Sequence, residues 1–400
     1  HLYTATRRSA PRPPLYDVVI IGAGPAGSAA AIALSESGHS VVLLERHHYP
    51  RHKMCGEFLS PETVPIFEQL GVWEEVQAVH PARITAARIT EPGGQRLDVA
   101  LPAPALGLSR YRLDHLLVER ARVAGAEVSE GCVVSEVHGS LDQGFEVVTH
   151  EGSVRARVVL GAWGKRSTLD RSLARPFFGR RAGFMALKAH FQGPEPEERT
   201  ELHAFPGGYC GINRVEGEAV NVCLLATDGA WERSGKSIPA FWQMIQEENA
   251  ALAMQLRYAD KVTEDIVISN ISFARKSPVE RDILMLGDSA ELISPLAGNG
   301  QAIALHAALL AAPLVDDFLA GRQSAAQLCQ GYARTWHRHF SKRLTLGRLL
   351  QPLFLHPLAL SAGLRLTNTI PRLATWLVEE TRERRGVRGA GSGERGAERL

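Results

Sequence analysis

The chain has 400 residues, 45% of them hydrophobic and 22% charged, with a formal net charge of +2. That composition suits a globular protein of two closely joined domains, and so small a charge excludes the strong positive field of a nucleic-acid binder. The five cysteines (Cys55, Cys132, Cys210, Cys223 and Cys329) are odd in number and form no CxxC pair. This speaks against a disulfide framework and a zinc centre, and for a reducing, cytoplasmic setting.

The leader, residues 1–15, is basic and proline-rich, lacks the apolar core of a secretory signal, and reads as disordered. It opens on His1 rather than on a methionine, so the sequence leaves the native start open. Next comes "DVVIIGAGPAGSAAAIALSESGHSVVLLER", from Asp17 to Arg46. A continuous apolar run reads as a strand covered on both faces, followed by Gly22-x-Gly24-x-x-Gly27 and a helix rich in alanine. Gly22 suits a tight turn, Gly24 lets a pyrophosphate approach the backbone, and Gly27 lets helix and strand pack closely. A second strand ends at Glu45, whose carboxylate suits the ribose hydroxyls of an adenosine and would repel a 2′-phosphate. Arg46 beside it joins the candidate cofactor contacts. Strand, glycine turn, helix, strand and acid in this order specify a dinucleotide, NAD or FAD rather than NADP.

Further along, "YPRHKMCGEFLSPET" places Cys55 and Glu57 on either side of a glycine. "ARITAARITEPGGQRLDVAL" alternates and turns at Gly93-Gly94, as a β-hairpin does. "LSRYRLDHLLVERARVAG" opens a helix with Arg110, or Arg112 as the alternative, and repeats Leu113, Leu116, Leu117 and Ala121 on one face. After an apolar strand at 158–160 the chain reads "GAWGKRS", with Trp163. Glycine-punctuated, strand-like runs continue to "GGYCGINRVEGEAVNVCLL", where Tyr209 is placed to hydrogen-bond a substrate oxygen. Residues 232–258 read as helical. A buried strand at 283–286 then leads into Gly287-Asp288, a loop with Pro295, Gly298, Asn299 and Gly300, and a long apolar helix. His190, His203 and His306 are isolated in the sequence. The stretch 349–364 is apolar but interrupted by Gln351, His356 and prolines, so it does not span a membrane but suits a membrane surface. The tail, 383–400, reads as disordered, and no internal repeat is visible.

The segments around Gly22, Arg110 and Asp288 together resemble the fingerprints of the p-hydroxybenzoate hydroxylase and geranylgeranyl reductase superfamily of FAD-dependent oxidoreductases. The resemblance runs over about 16–382. It implies that Asp288 binds the ribityl chain of FAD, that the loop at Pro295 to Gly300 lies against the isoalloxazine, and that Arg110 opens a helix beside it. It also implies an α/β fold: a discontinuous Rossmann-like FAD domain (16–83, 109–175 and 276–330), an antiparallel substrate domain (84–108 and 176–275) and C-terminal helices (331–382). The Lys-x-Cys-Gly element at Cys55 resembles that of the reductases, with Cys55 as contact or proton donor and Glu57 as a polar group near the ring. A lone cysteine is more often a small buried hydrophobe. Trp163 stands where the family usually has an aspartate, which leaves NADH against NADPH open. Tyr209 to Ile212 replace the aromatic stretch of isoprenoid reductases, and the halogenase WxWxIP motif is absent. The expected activity is a monooxygenase acting on a lipophilic aromatic or polyketide-like molecule. The alternatives are an ene-reductase and an electron-transfer flavoprotein. No metal is expected. The expected setting is cytoplasmic with peripheral membrane contact, and the oligomeric state is open.

Overall fold

The computed structural model describes residues 13–370 apart from Arg181 and the side chain of Ala297. Most of the leader and the whole tail, together with helical residues expected beyond 370, lie outside the described residues. Leu15, assigned above to the leader, already belongs to the first strand, Leu15–Ile21.

Two sheets organise the chain. In the first, five parallel strands lie in the order Ile283–Met285, Gly152–Gly161, Leu15–Ile21, Val41–Glu45, Glu127–Glu130. The apolar runs pair in register, Val19 with Val42 and Ile20 with Leu160, and all five residues of Val41–Glu45 are buried. Helices Pro25–Glu36, Arg110–Val123 and Gly300–Leu319 pack together against this sheet. The last is long and apolar enough to cross a membrane by length and composition alone. Packing assigns it otherwise: Leu305, Ala307, Ala308, Ala311 and Val315 are buried in the protein core. An antiparallel pair, Val134–Ser140 and Gly144–Thr149, extends the sheet and adds Phe145 and Val147 to the same core.

The second sheet has nine strands, mostly antiparallel. The hairpin expected at Gly93-Gly94 joins Ala82–Thr90 to Arg96–Gly107, with Gly94 at φ +85°. Beyond it lie Arg199–Phe205, Gly208–Arg214, Val220–Thr227 and Phe184–Gln192. Successive side chains of a strand point to opposite faces. Met185, Leu187, Ala189 and Phe191 therefore join Phe241, Trp242 and Ile245 of the helix Ile238–Glu248 in one core. Ala186, Tyr209 and Leu225 point the other way, into an apolar cluster with Met54, Leu292 and three residues of the C-terminal helices: Phe354, Leu360 and Leu364. Those helices are Ala325–Leu355 and Pro357–Thr369. The second sheet is thus sandwiched, with the face toward the C-terminal helices also facing the dinucleotide turn.

Candidate active site

The glycine turn is built by close contacts. A Cβ on Gly22 (φ +105°) would lie 2.4 Å from the Ala162 carbonyl oxygen, and one on Gly27 would lie 1.8 Å from the Gly22 oxygen. Gly24 is the N-cap of the helix Pro25–Glu36 and offers no side chain to it. The first N–H groups of that helix thus face outward, where a pyrophosphate would meet them and the positive end of the helix dipole. Glu45 holds the turn from behind, accepting hydrogen bonds from the backbone N–H of Ala23 (2.9 Å) and His47 (3.0 Å). Each carboxylate oxygen keeps a lone pair for a ribose hydroxyl.

Two cavities meet here. The outer one, about 380 Å³, is lined by the glycine turn, Glu45, Arg46, Arg51, Trp163 and Arg166. The inner one, about 170 Å³, is lined by Cys55, Gly56, Pro295, Gly298, Asn299, Gly300 and Gln301. They share Gly24, Lys53, Arg110 and Asp288, so the slot is continuous. Ser109 caps the helix Arg110–Val123 by accepting the Arg112 N–H, and this register turns Arg110 inward and leaves Arg112 exposed. Arg110 forks onto buried Asp114 one turn on, at 2.5 and 2.6 Å. Its guanidinium and the Lys53 ammonium both stand over Gly24. Burial, and then Arg110, lower the Lys53 pKa to about 8. Asp288 follows the strand Ile283–Met285 in a short turn, and its carbonyl accepts a hydrogen bond from Lys276 (2.8 Å). Gly298 (φ +61°) ends the next turn, and the helix Gly300–Leu319 starts at Asn299 without a side-chain cap. Buried polar atoms without hydrogen-bond partners line the slot: Arg51 Nε, His52 Nδ1 and Arg166 Nη1 in the outer cavity, Gln301 Oε1 in the inner. Two helix N-termini, two cations over the glycine turn and unsatisfied polar atoms along a continuous slot fit FAD.

The structure also brings together groups that sequence spacing did not. Cys55 Sγ accepts from the Glu57 N–H (3.3 Å) and from Gln301 Nε2 (3.4 Å). Glu57, in the left-handed region at φ +55°, borders the inner cavity, and its side chain is fully buried. There it meets Lys188 and His190 Nε2 (2.5 Å) and accepts the Arg110 N–H (2.8 Å). Burial raises the Glu57 pKa, but Lys188 and then His190 outweigh it and hold the carboxyl below the usual carboxylate range. It is an anchor for the loop and for the start of the Arg110 helix. Lys188 also donates to the Lys53 carbonyl (3.0 Å), and Asn221 to that of Gly56 (2.9 Å). Polar side chains from two strands thus clamp residues 53–57 beside the slot.

One reading needs correction. Of the three histidines read as isolated, His190 binds Glu57, His203 bonds Thr90 (2.8 Å) and Glu201 (3.1 Å), and His306 packs on the rings of His339 and Phe340. Sequence distance hid these partners, except Glu201, which lies two residues before His203. The one available signal was period-two alternation: in "FMALKAHF", Lys188 and His190 share the face of Phe184 and Ala186, polar groups on a strand otherwise apolar. Trp163, which stands where the family usually has an aspartate, donates its Nε1 hydrogen to Asp170 (3.1 Å), itself paired with Arg175 (2.9 Å). Tyr209 is buried against Phe354, its hydroxyl facing Ser294 and the Leu296 backbone without an aligned hydrogen bond. Burial raises its pKa.

Comparison with known proteins agrees with this architecture. A family model described as FAD binding domain matches residues 15–341. The chain is 30% identical to digeranylgeranylglycerophospholipid reductase 2 of Methanopyrus kandleri, over 82% of this chain and 83% of the relative. It is 27% identical to the menaquinone reductase of Mycolicibacterium smegmatis, over 84% and 86%. Among solved structures, the flavin-dependent brominase Bmp2 superposes with a TM-score of 0.77 at 20% identity, covering 92% of this chain and 93% of that one. At that identity the likeness concerns the fold.

Proposed function

We infer the reaction from one premise: the chain belongs to the family defined by this FAD-binding domain. It is an FAD-dependent oxidoreductase. Within that class we propose an ene-reductase that saturates carbon–carbon double bonds of a long lipophilic molecule, such as a polyprenyl chain on a polar head. Bound FAD would supply the hydride, replenished by NADH or NADPH.

The observation that carries this reading is the position of Cys55. Its sulfur lines the inner cavity next to Met54 and Leu292, which belong to the apolar cluster closed by Phe354, Leu360 and Leu364. An alkene held in that cluster would reach the cavity beside the thiol. A hydride added to one carbon requires a proton on the other, and Cys55 holds a proton at Sγ. The two N–H donors aimed at Sγ would stabilise the thiolate left behind, which solvent reprotonates. Glu57, locked by Lys188 and His190, keeps this loop in place. The reductase relatives, named for isoprenoid lipids and quinones, support the substrate class.

The test is anaerobic. Reduced protein is mixed with geranylgeranyl lipids or a menaquinone in deuterated water. Flavin should reoxidise without oxygen, the carbon that receives the proton should carry solvent deuterium, and Cys55→Ala should slow the step by roughly a hundredfold or more while keeping its flavin. Reoxidation only with oxygen, with an oxygen atom in the product, would assign hydroxylation or epoxidation instead. Reoxidation only by a protein acceptor would assign electron transfer.

A further inference from the structure

We propose that the outer face of the C-terminal helical hairpin, Ala325–Leu355 and Pro357–Thr369, docks on an anionic membrane surface. Among the described residues twelve large apolar side chains are exposed, and five of them fall here: Leu349 (68%), Leu353 (37%), Leu358 (88%), Leu366 (52%) and Ile370 (48%). They form stripes. Leu358, Ala362 and Leu366 on the shorter helix and Ile370 just past its end recur every four residues, all exposed. On the longer helix the line Arg334, Arg338, Lys342, Thr345, Leu349 and Leu353 is exposed, basic at one end and apolar at the other.

Charge identifies the partner. Residues 324–370 contain no Asp or Glu but six Lys and Arg. Two are used internally, Arg343 on Glu62 and Arg348 on Glu291. Among the others, Arg334, Arg338 and Arg365 are exposed. Apolar side chains flanked by cations, on helices that carry no Asp or Glu of their own, match the headgroup and acyl boundary of an anionic leaflet. A second copy of the chain fits poorly, because a two-fold contact through this face would set like charges against each other. The inner residues of the same hairpin, Phe354, Leu360 and Leu364, close the apolar cluster next to the inner cavity. Docking would therefore place the roof of that cluster on the phase in which a lipophilic substrate is dissolved. This surface stands whichever reaction the site performs.

The experiment is co-sedimentation of the full-length, FAD-loaded protein with vesicles of phosphatidylcholine alone or mixed with phosphatidylglycerol. The expected result is roughly ten-fold or greater preference for the anionic vesicles, weakened by salt. The double variant Leu358→Asp/Leu366→Asp, at exposed positions, should lose roughly ten-fold in partitioning with its flavin content unchanged. Equal partitioning onto both vesicles, or wild-type binding by the double variant, would overturn the proposal. So would a concentration-dependent dimer that the double variant splits without any vesicle binding, which would assign the face to a second copy.

Discussion

Lys188→Met isolates the anchor beneath the active-site loop. Glu57 and Lys188 are both fully buried, and the carboxylate is left with His190 and the Arg110 N–H when the ammonium is removed. Breaking a buried ion pair from one side costs about 3–5 kcal/mol. Unfolding entropy of about 2.1 cal/mol/K per residue over roughly 350 residues is about 0.75 kcal/mol/K, so Tm should fall by about 4–7 °C. The pH dependence fixes the sign. Lys188 and His190 hold Glu57 below its ordinary range against burial, so its contribution is complete above about 4.5 and is lost as pH falls through the lower folded-state value. Without Lys188 burial gains weight, the carboxyl titrates higher, and the acid limb of the stability profile should shift toward neutral pH. Differential scanning fluorimetry across pH measures both effects. Glu57→Gln/Lys188→Met, which removes both charges, should recover at least half of the lost Tm. A single variant within a degree of wild type, or a double variant as unstable as the summed singles, would refute the role given to this pair.

Lys53, with its pKa near 8 and its ammonium over Gly24, should make FAD affinity pH-dependent. The pyrophosphate favours the protonated amine, so binding takes up a proton and the dissociation constant should rise as pH climbs above about 8. Flavin fluorescence titrations from pH 6.5 to 9.5 test this, and a slope that persists in Lys53→Met would rule the lysine out. Gly27→Ala places a methyl group 1.8 Å from the Gly22 oxygen, forcing the turn to open. That variant should purify without flavin or bind it at least about a hundredfold more weakly; stoichiometric flavin absorbance would show that the turn tolerates the side chain.

The nucleotide end of the site was readable because its requirements are local. A tight turn, a close backbone approach and a helix start each select glycine within a few residues. Gly22, Gly24 and Gly27 therefore announce themselves, as does Glu45 at a strand end. The choice between Arg110 and Arg112 needed the helix register set by Ser109. The Glu57 anchor was not readable, since Lys188 and His190 lie 131 and 133 residues away. Only the alternation of one strand hinted that they share a face.

By itself the sequence determined the elements and the chemistry that one turn, one strand or one helix end can hold: the dinucleotide turn, the hairpin at Gly93-Gly94, and the acid at Asp288. Tertiary structure decided how distant segments meet. It set Lys188 and Asn221 over the loop of Cys55, aimed Gln301 at that thiol, and turned one face of the C-terminal helices inward onto Tyr209 and the other outward. Local backbone geometry is written in the residues that make it. Burial and pairing across a fold depend on what packs on the far side, and no short stretch of sequence records that.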